Sequence, residues 1–144
     1  MSPPPSAIAL SDIHIGQTEH YERTVTEADI ERFADVSGDD NPVHFDDEWA
    51  AATMFKGRIT HGMLSASYIS AVIGTRLPGP GTIYMGQTLR FRAPVRIGDT
   101  VCATVTVRAI DEEKRRLTLD TVCTVGETTV IDGEALVMVP GLEE

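Results

Sequence analysis

Cysteine is nearly absent from this chain of 144 residues. Cys102 and Cys123 are too few and too isolated for a disulfide framework or a zinc ribbon. Both fall in segments that read as strands, where two buried, reduced thiols are expected. Basic residues are also scarce: 12 Lys and Arg stand against 22 Asp and Glu, for a formal charge of −10. That balance excludes a general nucleic-acid binder, whose phosphate contacts need clustered cations. It leaves room for a nucleotide-like ligand, because a local basic patch can override the overall sign. No stretch reaches the ~20 uncharged apolar residues of a membrane span. The start, Met1-Ser2-Pro3-Pro4-Pro5-Ser6, lacks the basic residues and apolar run of a signal peptide. A soluble, cytoplasmic protein with no membrane partner is expected. Two catalytic signatures are missing as well. There is no G-x-S-x-G nucleophile elbow, and no H-x-x-x-H or H-E-x-x-H spacing to support a metal at Asp39, His44 and His61.

What is present suits one globular domain: 42% of residues are hydrophobic and 24% charged. Residues 1–12, led by three prolines, read as a flexible tail and 13–144 as the domain. A short strand is expected around Glu19 to Val25. Thr26 has N-cap chemistry with Asp29 three residues on, and Ile30, Phe33 and Ala34 form the apolar stripe of a helix that Gly38 ends. Asp46 or Asp47 can cap a second short helix through Trp49. From Gly62 to about Thr75 no residue is charged, and apolar side chains point in nearly every direction of a helical wheel. Such a helix is one that other structure surrounds. From Thr82 onward the period changes to two, with turns at Gly98-Asp99, Asp111-Glu112-Glu113 and Gly126-Glu127. No helix separates these strands, so the sheet should be antiparallel. The expected class is α+β, an antiparallel sheet wrapped around a central apolar helix.

The chemistry concentrates between the first and third helices. Asp39 and His44 stand five residues apart, and a carboxylate with a neutral imidazole can hold and deprotonate a water. Asn41-Pro42 between them is expected to hold an extended turn, because proline fixes its own φ and disfavours helical geometry at Asn41. The plain alternatives are a turn aspartate bonded to its own backbone and a structural histidine; Asp40, adjacent, leaves open which carboxylate acts. Gly62 has a role in its backbone: an N–H at a helix start is unpaired, and without Cβ it admits a close oxyanion. His61 is either a further polar group of the site or a partner for local backbone. The run Arg90-Phe91-Arg92-Ala93-Pro94-Val95-Arg96 holds three of the 12 basic residues. On a strand these arginines would share one face, a candidate for phosphate contacts with Lys56 and Arg58, or else a solvated face.

Three segments in order carry a family resemblance: Gly38-Asp39-x-Asn41-Pro42-x-His44, then His61-Gly62-Met63, then Gly81-x-Ile83-Tyr84-x-Gly86-Gln87. Together they resemble the MaoC-like (R)-specific enoyl-CoA hydratases of the hot-dog fold, over about residues 26–107. The resemblance implies a single hot-dog domain, hydration of trans-2-enoyl-CoA to (R)-3-hydroxyacyl-CoA, and Asp39 rather than Asp40 as the carboxylate acting with His44. It implies an acyl-CoA substrate in which coenzyme A is no separate cofactor, and a homodimer. Ser70 matches a serine near the catalytic carboxylate in relatives. Met63, Leu64, Ile69, Ile83 and Met85 are candidates to meet the acyl tail. Alternatives on the same fold are an (R)-3-hydroxyacyl-carrier-protein dehydratase, a thioesterase, and a non-catalytic acyl-CoA-binding protein.

Overall fold

The computed structural model describes residues 6–141. Five strands form one antiparallel sheet: β1 (Thr18–Thr24), β2 (Ile83–Phe91), β3 (Thr100–Asp111), β4 (Arg116–Val125) and β5 (Thr128–Met138), in the order β1-β3-β4-β5-β2. Among the described residues, a 3-10 turn (Leu10–Asp12) and four α-helices precede β2: α1 (Glu27–Ser37), α2 (Pro42–Phe45), α3 (Asp47–Ala51) and α4 (Gly62–Thr75).

The expected central helix is α4. Ile69, Val72 and Ile73 are fully buried against the inner face of the sheet, where Val101, Ala103, Val105, Leu117 and Leu119 stand in period-two alternation. Burying one such side chain contributes about 1.5–3 kcal/mol. A charge introduced at Ile69 would therefore break the contact that holds helix to sheet. Cys123 also lies in this core, and burial pushes its thiol up to about 12. Gly133 of β5 sits where a Cβ would lie 1.9 Å from the Thr88 oxygen, so only glycine lets β2 cross it this closely.

The helix α1 begins with both bonds of the capping box: Asp29 N–H donates to Thr26 Oγ1 (3.2 Å) and Thr26 N–H to Asp29 Oδ2 (3.1 Å). Arg23 of β1 donates to both Asp29 oxygens, at 3.1 and 2.6 Å, tying helix to sheet edge and holding the carboxyl below its usual range. The helix ends at Gly38, left-handed at φ 81°.

The expected tail differs from the fold beyond residue 5. Residues 1–5 lie outside the described residues, but Ala7, Ile8 and Leu10 pack on the core, and Ile8 N–H donates to Pro78 O at 2.7 Å. Apolar side chains at 7, 8 and 10 give this segment something to bury, which the leading prolines obscure.

Candidate functional site

The loop after α1 brings Asp39 to the surface, where its Oδ1 accepts the Asn41 N–H at 3.3 Å. Asn41 then caps α2 by accepting the Val43 N–H (3.1 Å), and Pro42 takes the first helical position. The expected extended turn is thus a single helical turn. Proline at that position loses nothing, because its missing N–H would have had no partner. Asn41 shapes the loop through this cap.

That turn buries His44, which is 7% exposed. Its Nδ1 lies 2.8 Å from the Ile59 carbonyl. A carbonyl only accepts, so Nδ1 carries the proton and a neutral His44 presents a bare Nε2. Burial, and secondarily His61, outweigh the Ile59 carbonyl and lower the pKa of His44 from its ordinary value, which keeps the ring neutral. Arg58 holds the turn from behind: its Nε donates to His44 O (2.7 Å) and its Nη2 to Glu27 (2.7 Å). Arg96 lies beyond the end of β2 and donates to the Gly57 and Arg58 carbonyls at 3.0 and 3.1 Å. Arg96, expected on a basic face, and Arg58, a further candidate for phosphate contacts, both donate to backbone, since loop carbonyls without strand partners need donors.

His61 comes in from the far side. Its Nε2 is 2.8 Å from the Asp39 carbonyl, and its ring stacks on His44 with centroids 3.8 Å apart and planes 30° apart. The Asp39 carboxylate and one nitrogen from each imidazole lie within 4.8 Å of one another. Three such groups could in number hold a metal ion. One nitrogen of each ring is already engaged by a backbone carbonyl, His44 Nδ1 by Ile59 O and His61 Nε2 by Asp39 O.

These groups open on a cavity of about 570 Å³, lined also by Gly62, Met63, Ser65 and Phe91. Gly62 starts α4, and no side chain caps that start. The first N–H groups and the positive end of the helix dipole are therefore available to an oxyanion. The Phe91 ring covers the same glycine: a Cβ there would lie 2.7 Å from Phe91 Cε1. A larger hollow of about 850 Å³ near both chain ends, lined by Ile8, Pro80, Arg115 and Pro140 among others, holds no comparable set of acid and base groups.

Of the residues proposed from sequence, Asp39, His44, His61, Gly62, Met63 and Arg92 line this one cavity. Arg92 does so while paired with Asp132 at 3.0 Å. Ser70, Lys56 and Arg90 are exposed and outside its lining. Ser70 lies two turns further along α4 than Gly62. Leu64 and Ile69 belong to the core, and Ile83 and Met85 are exposed on β2, so of the acyl-tail candidates only Met63 meets the cavity. Sequence reasoning missed Thr60, Ser65 and Phe91. Thr60 Oγ1, Ser65 Oγ and His61 Nδ1 are buried without a partner among the described residues. Ser65 stands one turn after His61, a spacing that places both on one face of the helix start, which was the available signal for Ser65.

The chain is 57% identical over 129 residues to the (R)-specific enoyl-CoA hydratase of Rhodospirillum rubrum, covering 90% of each. It is 48% identical over 144 residues to the 3-hydroxybutyryl-CoA dehydratase of Methylorubrum extorquens, covering all of this chain and 92% of that one. Among solved structures it superposes on the R-hydratase PhaJ1 of Pseudomonas aeruginosa with a TM-score of 0.87 at 45% identity, over 96% of this chain and 93% of that one. The sheet wrapped on α4 is the hot-dog fold. Residues 12–131 match the MaoC-like domain, and the chain belongs to that family.

Proposed function

We propose that this protein is an (R)-specific 2-enoyl-CoA hydratase, adding water reversibly to trans-2-enoyl-CoA to give (R)-3-hydroxyacyl-CoA. The observation that carries the reading is the meeting of Asp39 and a bare His44 Nε2 at one cavity beside the uncapped start of α4. The names of the relatives above support the substrate class.

In the mechanism, Asp39 and His44 hold one water. His44 Nε2 takes a proton as the water oxygen bonds to C3, and the carboxylate of Asp39 accepts the remaining O–H and orients it. The C2–C3 π electrons move toward the thioester, whose oxygen gains negative charge and is met by the Gly62 N–H. The imidazolium then returns its proton to C2, restoring neutral His44. Both new bonds form on one face, giving syn addition. No electrons are transferred, so the reaction calls for no redox cofactor; coenzyme A enters as part of the substrate.

A homodimer belongs to the same proposal. β2 is an edge strand, and Ile83, Tyr84 and Met85 on it are 39–45% exposed. A second copy pairing there would cover an open sheet edge and these side chains. No helix among the described residues is long and apolar enough to cross a membrane. Two free thiols suit a reducing compartment, which supports the cytoplasm.

The test follows the loss of enone absorbance with crotonyl-CoA and the chirality of the product. Wild type should form the (R)-alcohol. Asp39→Asn and His44→Ala, correctly folded, should each lose about 100-fold or more in kcat, the scale of general acid/base catalysis. No turnover by wild type on crotonyl-CoA or longer enoyl-CoA would reject the reading. Turnover only of crotonyl carrier protein would replace it with the dehydratase.

A further inference from the structure

His61 occupies the N-cap of α4 and does not cap it. Caps are usually Ser, Thr, Asp or Asn, whose side chains reach the free N–H groups of their own helix. This side chain turns the other way, to the carbonyl of Asp39, 22 residues earlier. Local rules are broken in this manner where function requires it. The ring is 1% exposed and packs against Phe33 (centroids 4.8 Å apart), Phe45 (6.0 Å) and His44 (3.8 Å).

We propose that His61 is a positioning residue that holds both members of the Asp39/His44 pair in place, one by a hydrogen bond and the other by stacking. The proposal rests on the hydratase reading above. Because a carbonyl only accepts, the bond to Asp39 requires the proton on Nε2. The loop carrying Asp39 has few other ties: the Asp39 N–H donates to Ser37 Oγ (3.1 Å) and the Asp39 carboxylate accepts the Asn41 N–H (3.3 Å), both within the same turn. Among the described residues, the His61 bond is the one that reaches the Asp39 backbone from another element. The same ring forms one wall for His44, whose other ring nitrogen is already fixed on Ile59. One side chain therefore sets the distance between carboxylate and base. Its placement next to Gly62 also ties that distance to the helix start where the thioester oxygen would sit.

The titratable and charged groups facing this pair are Asp39 on the loop after α1, His44 on α2 and Arg58 on the segment before α4, with Arg92, just after β2 and paired with Asp132, lining the same cavity; α4 itself carries no charged residue. His61 is among the groups that depress the pKa of His44. A phenyl ring in its place keeps His44 covered, so an upward move of the acid limb of kcat/KM in that variant reports the lost electrostatic effect of His61.

The experiment compares His61→Phe, which keeps a flat ring without a donor, with His61→Gln, whose amide can again donate to Asp39 O. Crotonyl-CoA kinetics against pH are read beside thermal unfolding. His61→Phe should lower kcat by about 100-fold, the cost of misplacing a reacting group by roughly 1 Å, with little change in KM and a raised acid limb. His61→Gln should recover most of the kcat. A wild-type kcat in His61→Phe would overturn the proposal, as would a rise in KM alone or equal losses in both variants that follow thermal stability. A readout without turnover is the ¹⁵N spectrum of wild type: His61 should be protonated on Nε2, and an Nδ1–H tautomer would overturn the proposal. If wild type fails to hydrate crotonyl-CoA yet shows the Nε2–H tautomer, the hydratase reading falls while the geometry stands. Without that reaction the positioning role falls with it.

Discussion

Gly62→Ala tests the oxyanion assignment. The added Cβ would lie 2.7 Å from Phe91 Cε1 and 2.8 Å from Cδ1, against about 3.5–4.0 Å for comfortable carbon–carbon contact. The ring must therefore retreat by about 1 Å. Phe91 is 55% exposed at the end of an edge strand, so it has solvent to move into. The cost in stability should accordingly fall at the low end of the usual 1–3 kcal/mol for overpacking. The cost in rate should be larger, because the methyl and the displaced ring crowd the approach to the N–H. Obstructing one oxyanion donor lowers kcat by about 100- to 1,000-fold. The assay is kcat on crotonyl-CoA beside the thermal midpoint, for Gly62→Ala, Phe91→Ala and the double variant. Phe91→Ala removes the clash, so the double variant should regain the midpoint and not the kcat. A double variant with wild-type kcat would show that the clash was the entire defect and that the space above the Gly62 N–H is not where the thioester oxygen develops its charge. An unchanged kcat in Gly62→Ala alone would reject the assignment outright.

Two further outcomes follow from the charge environment. Because burial lowers the pKa of His44, the base should stay neutral at pH values where an ordinary histidine is half protonated; the acid limb of kcat/KM should fall below about 6.5, and a limb above that value would refute the account. The same shift opposes protonation in the fold, so His44 should contribute a loss of stability as pH drops from about 6.5 toward its folded value, absent in a folded His44→Phe variant. Asp29 shifts in the same direction for a different reason, the hydrogen bonds from Arg23. Its depressed pKa contributes stability present above its ordinary value of 3.8 and lost as pH falls through the folded value. Asp29→Asn should cost about 1–2 kcal/mol at pH 7 by urea unfolding, since Arg23 is partly exposed and screened. The gap to wild type should close toward pH 2, and a gap constant with pH would place the effect in the cap alone.

Elements set by neighbours in the chain were legible before any coordinates. Thr26 and Asp29 announced the start of α1, Gly38 its end, and the uncharged run from Gly62 the helix at the centre. The first two signals act over one helical turn or less, and the third over the length of its own helix. Pro42 was misread because its restriction on Asn41 is also satisfied when Asn41 is an N-cap with extended backbone, a case local sterics do not separate from a longer extended turn. The destinations of long side chains were not legible at all. Arg58 and Arg96 looked like a phosphate-binding surface, and only the fold shows loop carbonyls that would otherwise be buried without donors. Asp39 and His44 could be paired on paper because five residues and one turn separate them. His61 could not be joined to them, since its partner lies 22 residues away and is a backbone carbonyl, which has no sequence signature. On the proposed reading the pair that holds the water is close in sequence, and the ring that aims it is not. A search of this family for what sets rate should therefore begin with side chains that reach the backbone of the acting residues, rather than with the acting residues themselves.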